Sequence, residues 1–165
     1  MIEIINTGGT FNKRYNPING KLEVPCDFFA IKDILKKSLF QKDIKITQII
    51  SKDSLEFTKK DRKLLLKTIK KTKSNKIIVI HGTDTMKKSA EFIAKFVKDK
   101  IIVFTGAMKP YEIEKVEAVS NLMSAYGFIQ NAQNGVYISM HGIIKNFNNI
   151  EKNYQKGVFC EKSYC

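Results

Sequence analysis

A chain of 165 residues that is 43% apolar is long enough to bury a substantial core and too hydrophobic to remain disordered. It contains nothing approaching the roughly 20 consecutive apolar residues of a membrane span, and its three cysteines, Cys26, Cys160 and Cys165, show neither metal-site spacing nor the even number of a disulfide framework. Its formal net charge of +13 rests on 29 basic residues, but only Arg14 and Arg62 are arginine, the residue that base readout and phosphate forks favour; a solvated lysine-rich surface is expected, and no nucleic-acid partner.

In chain order, IEII (2–5) is a short apolar strand entered at once, without a basic region and long apolar run before it, so a cytoplasmic chain without a cleaved leader is expected. The strand stops abruptly at Asn6-Thr7-Gly8-Gly9-Thr10. Residues 10–24 are polar, carry the turn signals Asn16-Pro17 and Asn19-Gly20, and form a long excursion. FFAIKDILKKSL (28–39) places Phe28, Ile31, Ile34, Leu35 and Leu39 near helical spacing, with Asp27 as N-cap. IKITQII (44–50) is β-branched and strand-like. TKKDRKLLLKTIKK (58–71) opens on the capping-box pair Thr58 and Asp61 and predicts a helix.

KIIVI (76–80) is the third strand and runs straight into His81-Gly82-Thr83-Asp84-Thr85. Residues 85–97 form a helix with Thr85 as its cap and Phe92, Ile93, Phe96 and Val97 inward. KIIVFTG (100–106) is the fourth strand, 116–130 a helix, and GVYISM (135–140) the fifth strand; the tail 141–165 has no clear periodicity. Strands alternating with helices, the strands near-continuous in Ile and Val, indicate an α/β fold: an open, mostly parallel sheet with helices on both faces, in a single domain over 1–165.

In such a sheet, ligands bind beyond the carboxyl ends of the strands. TGGT, SKDS (51–54), HGTDT and TGAMKP (105–110) all fall there. TGGT has neither phosphate-loop nor dinucleotide-fingerprint spacing, and His81 and His141 are each expected to be structural. The combination is more informative. Thr10 and Thr83 each sit beside glycine on a strand-to-loop turn, where backbone can approach a ligand and N–H groups can hold an oxyanion. A threonine hydroxyl needs a base before it becomes a nucleophile. Asp84 follows Thr83, and a lysine from elsewhere would complete a Thr–Lys–Asp relay.

TGGT, HGTDTM and GAMKP, in this order and at these spacings, resemble the bacterial asparaginase/glutaminase family of L-asparagine amidohydrolases. The resemblance runs from residue 2 to about 152 and corresponds to the larger N-terminal domain of the two-domain enzymes. It implies Thr10 as nucleophile with Tyr15, in a closing lid over residues 11–24, as its activating neighbour. It implies Thr83, Asp84 and Lys152 as the Thr–Lys–Asp set, with Lys145 a competing lysine. Ser51 would hold the substrate α-carboxylate with Lys52 beside it, Asp84 the α-amino group, and the carbonyl of Ala107 the side-chain amide; Gly9 and Gly82 would flank the substrate. Three departures from the family are read here: Lys52 stands where glutamine is usual, the Asp-Gly after GAMKP is missing, and no smaller C-terminal domain is expected.

The expected reaction is hydrolysis of L-asparagine to L-aspartate and ammonia through a threonine acyl-enzyme, with no metal and no cofactor. The alternatives are a catalytically weak aspartate-binding relative, or an amidohydrolase acting on glutamine or a tRNA-linked amide. The expected partners are the small-molecule substrate and further copies of the chain, as a dimer or tetramer, because 116–130 carries Val116, Val119, Leu122, Met123, Tyr126 and Phe128, more than one apolar stripe needs. No membrane partner is expected.

Overall fold

The computed structural model describes residues 1–40 and 44–165. In chain order these form β1 (Ile2–Gly8), β2 (Arg14–Asn16), β3 (Lys21–Glu23), α1 (Phe29–Lys37), β4 (Lys45–Lys52), α2 (Lys59–Lys71), β5 (Lys76–Ile80), α3 (Met86–Phe96), β6 (Ile101–Thr105), α4 (Lys115–Ile129), β7 (Gly135–Met140), β8 (Ile143–Asn146), β9 (Ile150–Asn153) and β10 (Val158–Glu161). Six strands make one sheet in the order β4-β1-β5-β6-β7-β8, parallel except for β8, which turns back along β7.

Alternation along each strand divides the core in two. Ile5, Ile77, Val79, Ile102 and Phe104 share a cluster with Leu65, Ile69, Met86 and Ile93 of α2 and α3. Ile4, Ile78, Ile80 and Val103 share the other with Ile31, Ile34, Leu122 and Ala125 of α1 and α4. The expected architecture of helices on both faces is therefore present. Among the described residues no helix is long and apolar enough to cross a membrane.

Local chemistry sets the helix starts. Thr58 Oγ1 accepts from the Asp61 amide at 3.3 Å, and Asp61 Oδ2 accepts from the Thr58 amide at 2.8 Å, a reciprocal capping box on α2. Asp27 accepts from the Phe29 amide at 3.0 Å, but the cap position itself is Phe28, one residue later than the sequence indicates. Thr85 makes no side-chain cap: its hydroxyl donates to the Ser54 carbonyl at 2.8 Å and ties β5's loop to the segment after β4.

Three expectations are corrected. The tail is not irregular: β8 extends the sheet and β9 and β10 form an antiparallel hairpin, strands too short for a visible period. Cys160 and Cys165 are joined in a disulfide across five residues, with Cα atoms 5.6 Å apart, leaving Cys26 as the free cysteine. The surplus apolar surface of α4 is largely used within the fold. Tyr126 packs edge-on against Phe40 at 4.5 Å, Phe128 against Tyr137 at 4.9 Å, and Val119 and Met123 are half-buried; of the six residues, Val116, 70% exposed, is the one left open. The apolar residues of this helix other than Val116 therefore have partners within the chain.

The capping box yields a direct test. Thr58→Ala removes the acceptor for the Asp61 amide, so a loss of about 1 kcal/mol is expected. For a chain of this size that corresponds to a fall of about 2–4 °C in the thermal midpoint, measurable by circular dichroism.

Candidate active site

The site is built on two strand-end loops whose backbones touch. Gly8 and Gly9 leave β1 at φ values of 98° and 76°, conformations that side chains disfavour. A Cβ on Gly9 would lie 2.5 Å from both N and Cα of Gly82, and one on Gly82 would lie 2.6 Å from Cβ of Ser54. Glycine is therefore required at both positions, and the loops after β1, β4 and β5 pack to within backbone contact. The Gly9 amide donates to the Lys52 carbonyl at 2.9 Å and secures the first loop to β4. Thr10 begins the 3-10 turn that follows, half-buried at the edge of this contact.

Thr83 and Asp84 leave β5 on the other loop. Lys152, delivered from β9, donates to Thr83 Oγ1 at 2.9 Å and to Asp84 Oδ1 at 2.7 Å. Its side chain is 9% exposed, whereas that of Asp84 is 31% exposed. Lys145 lies instead on β8, exposed and 3.3 Å from Glu161. The structure thus brings Lys152, and not Lys145, to Thr83 and Asp84.

Two other expected residues are not gathered in. Lys52 directs its ammonium to both oxygens of Asp61, at 2.9 and 3.1 Å, and so belongs to the start of α2. Tyr15 lies on β2, paired with β3 across a hairpin; it is 57% exposed, with its hydroxyl beside Gly20. The hairpin is held by Lys13 with Asp53, by Arg14 with Asp27, and by the Tyr15 amide on Glu112. Ser51, half-buried, accepts from Gln48 Nε2 at 2.9 Å. Ala107 follows β6 and is fully buried.

Several residues near the site were not singled out by the sequence. Asp53 accepts from Lys13 at 2.6 Å and from the Leu55 amide at 3.1 Å. Burial raises its pKa, but Lys13, the Leu55 amide and the charge of Lys152 outweigh this and hold it below the ordinary carboxylate value. It stands in SKDS, so the signal was the same motif that supplied Ser51. Tyr154 places its ring 5.1 Å from Lys152 Nζ and donates to the Asp84 carbonyl at 3.0 Å, covering the cation on one side.

Glu117 occupies the stretch where the family's Asp-Gly is missing. It accepts from the amides of Met108 at 2.7 Å and Lys109 at 3.0 Å, and from His141 Nε2 at 2.9 Å. His141 Nδ1 in turn accepts from the Phe159 amide at 3.1 Å, and Phe159 is the register partner of Lys152. One carboxylate thus links the Ala107 loop to the hairpin that carries the lysine. His81 is wholly buried between Phe57 and Phe104 and donates from Nδ1 to the Gly82 carbonyl at 2.8 Å; burial pushes its pKa down to about 4, so it is a neutral support for the loop.

Among the described residues no group of His, Cys, Asp and Glu could hold a metal ion. What the cluster offers is hydroxyls, a lysine, a carboxylate and turn amides, the parts of a covalent acyl-transfer site.

The family model described as Asparaginase, N-terminal matches residues 1–162. L-asparaginase 2 of Bacillus subtilis is 30% identical over 135 residues, covering 75% of this chain and 35% of that protein. A glutamyl-tRNA(Gln) amidotransferase subunit of Nanoarchaeum equitans is 31% identical over 145 residues, covering 85% and 36%. The solved structure of the thermostable L-asparaginase from Thermococcus kodakarensis superposes with a TM-score of 0.83 at 21% identity, over 97% of this chain and 50% of that one. A probable cytoplasmic L-asparaginase from Campylobacter jejuni gives 0.79 at 25% identity, over 99% and 53%. The chain spans about a third of the length of these curated relatives and about half of the solved chains.

Glu117 also fixes a pH dependence. Burial raises its pKa, but the bonds from His141 and the two amides outweigh this, so the folded value lies below the unfolded one. Its contribution is therefore complete above about pH 4.3 and is lost as pH falls through the folded value. Glu117→Gln is expected to be about 1–2 kcal/mol less stable than the parent near neutral pH, as hydrogen bonds to a charge are weakened. The gap should narrow as pH falls below about 5. Urea titrations across that range measure it.

Proposed function

We propose that this chain, which belongs to the asparaginase family through its N-terminal domain, hydrolyses the side-chain amide of L-asparagine to give L-aspartate and ammonia, through an acyl-enzyme on Thr10. The observation that carries the reading is the Lys152 ammonium shared by Thr83 and Asp84, set beside the backbone contact that carries Thr10. The similar grouping of Lys52, Asp61 and Thr58 is consumed by the capping box of α2 and leaves the Lys152 cluster as the one at the meeting of the two glycine loops.

In this reading the Thr10 hydroxyl attacks the amide carbon and its proton ends on the departing nitrogen as ammonia. The amide of Gly9 is already committed to Lys52, so the developing oxyanion falls to the amides of Thr10 and Thr83. Water then adds to the ester, its hydrogen returns to Thr10, and aspartate leaves. Lys152 fills a lone pair of Thr83, which directs that threonine's own hydrogen outward toward the reacting groups. Asp84 gives one oxygen to Lys152 and keeps the other for the substrate ammonium. The Ala107 carbonyl, on the loop held by Glu117, receives the amide NH2.

A second reading follows from the amidotransferase subunit of Nanoarchaeum equitans, which resembles this chain as closely as the Bacillus asparaginase does. The same chemistry would then release ammonia from an amide donor within a larger assembly.

Ammonia release from asparagine, from glutamine and from buffer alone separates these readings. Thr10→Ala and Lys152→Ala should each lower kcat on asparagine by about 10³-fold or more with an unchanged circular dichroism spectrum. Lys152→Arg should not restore activity, because a planar guanidinium fork does not reproduce the point donation of one ammonium to both Thr83 and Asp84. A Thr10→Ala protein within about tenfold of the parent removes Thr10 from the nucleophile's role; release from glutamine alone favours the second reading.

A further inference from the structure

We propose that Gln48 is a specificity-determining residue: it fixes the Ser51 hydroxyl as a hydrogen-bond donor and so selects substrates that carry an α-carboxylate. The inference rests on the asparagine reading above for the place of Ser51, but its own content is the direction of a hydrogen-bond chain.

That chain begins under the Thr10 loop. The Gly8 amide donates to Asn6 Oδ1 at 3.2 Å, and a backbone N–H can only donate, so this atom of Asn6 is an acceptor. Asn6 Nδ2 is then the donor, and it gives a hydrogen to Gln48 Oε1 at 2.7 Å; the two residues are register partners on β1 and β4. With Oε1 accepting, Gln48 Nε2 must donate. It does so to the Ile50 carbonyl at 2.7 Å, which can only accept, and to Ser51 Oγ at 2.9 Å. Backbone groups therefore fix the chain at both ends, and neither amide can be turned around without opposing two donors or two acceptors.

Asn12 reinforces the start. Its Nδ2 donates to the Gly8 carbonyl at 2.7 Å and to Asn6 Oδ1 at 3.0 Å, and its Oδ1 accepts from Asn6 at 3.1 Å. Asn6 and Asn12 are buried, so these bonds do not compete with solvent. The same network thus closes the turn that begins at Thr10 and sets the polarity of Ser51.

The consequence lies at Ser51. One of its two lone pairs is occupied by Gln48, so the hydroxyl hydrogen cannot turn back toward Gln48 and is directed to an acceptor on the open side. A carboxylate oxygen is such an acceptor; an ammonium or an amide NH2 is not. Lys52 is engaged with Asp61 and does not supply the recognition, so more of it falls on this oriented neutral donor.

Two variants and two pairs of ligands test the proposal. Gln48→Met keeps the length of the side chain and releases Ser51 to rotate. Gln48→Glu puts an acceptor where Nε2 donates: it turns the Ser51 hydrogen inward and also opposes the Ile50 carbonyl, so it is read through the ratio between the two amides. Asparagine is compared with 3-aminopropanamide, the same amide without the α-carboxylate. Both variants should raise KM for asparagine by about ten- to hundredfold, the weight of one hydrogen bond to a charge, with Gln48→Glu the worse. Gln48→Met should not change kcat, or kcat/KM for 3-aminopropanamide, more than about twofold, which is small against one such bond. An equal fall for both amides marks Gln48 as structural and overturns the proposal, as does an unchanged ratio.

A binding arm separates the two inferences. Calorimetry with L-aspartate and with β-alanine, which lacks that carboxylate, should show Gln48→Met eroding the preference for aspartate by the same factor. If the parent protein binds aspartate but releases no ammonia, the hydrolase reading fails and the Gln48 inference is still decided by this ratio. If the parent does not distinguish aspartate from β-alanine, the Gln48 inference is wrong.

Discussion

The contact between Gly9 and Gly82 is the constraint on which the site depends. Two neighbouring parallel strands end in loops that pass within backbone distance of each other, and a single methyl group at either glycine would force them apart. The loops can then present side chains only from the residues that follow, and both loops place threonine there. The approach of Gly82 to Ser54, and of Gly9 to the Lys52 carbonyl, extends the same economy to the third loop. Between Gly9 and Gly82 the contact is backbone on backbone, so the spacing of those two loops is set by hard contacts rather than by rotamers.

The cation arrives from a different direction. Lys152 sits on a hairpin outside the main sheet, and its reach to Thr83 and Asp84 depends on how that hairpin is docked. Glu151 binds Lys87 of α3 on one side, at 2.7 Å. On the other side the Phe159 amide binds His141, which is held by Glu117. The hairpin is thus oriented by polar contacts on both flanks and by the buried Ile150 and Phe159 beneath it. A lysine placed in this way keeps a defined direction despite its flexible stem.

Much of this was legible in the sequence, and the rest was hidden for physical reasons. Apolar strands alternating with capped helices predicted the parallel sheet, and Thr58 with Asp61 marked the start of α2 because a capping box is local. Lys152 was placed by family register, and its two hydrogen bonds agree with that placement. The partners of Tyr15 and Lys52 were not legible because a pattern of residue types does not say where a long side chain points: Lys52 is captured by Asp61, nine residues on, and Tyr15 is 57% exposed on a hairpin. The disulfide was hidden by an odd cysteine count, and β9 and β10 by their length of four residues each. Glu117 could have been noticed as the acidic residue in the first turn of α4, in the stretch after GAMKP. The Asn6–Gln48–Ser51 chain was out of reach, because it depends on register between β1 and β4 and on the direction of each amide.

The strand order also bears on the route by which the molecule forms. β1 lies between β4 and β5, so the first strand made has neither neighbour until residues 45–52 and 76–80 exist. Every pairing in the parallel part of the sheet spans a crossover, and such non-local pairings are entropically slow to close. The glycine contact needs β1 and β5 to be in register, and the lysine needs a hairpin still farther along. A partly folded chain can therefore hold a sheet and a hydrophobic core without yet holding a site. Its exposed strand edges are then open to wrong partners, so the lysine-rich surface, which keeps such chains apart by charge, guards the interval before the last hairpin docks.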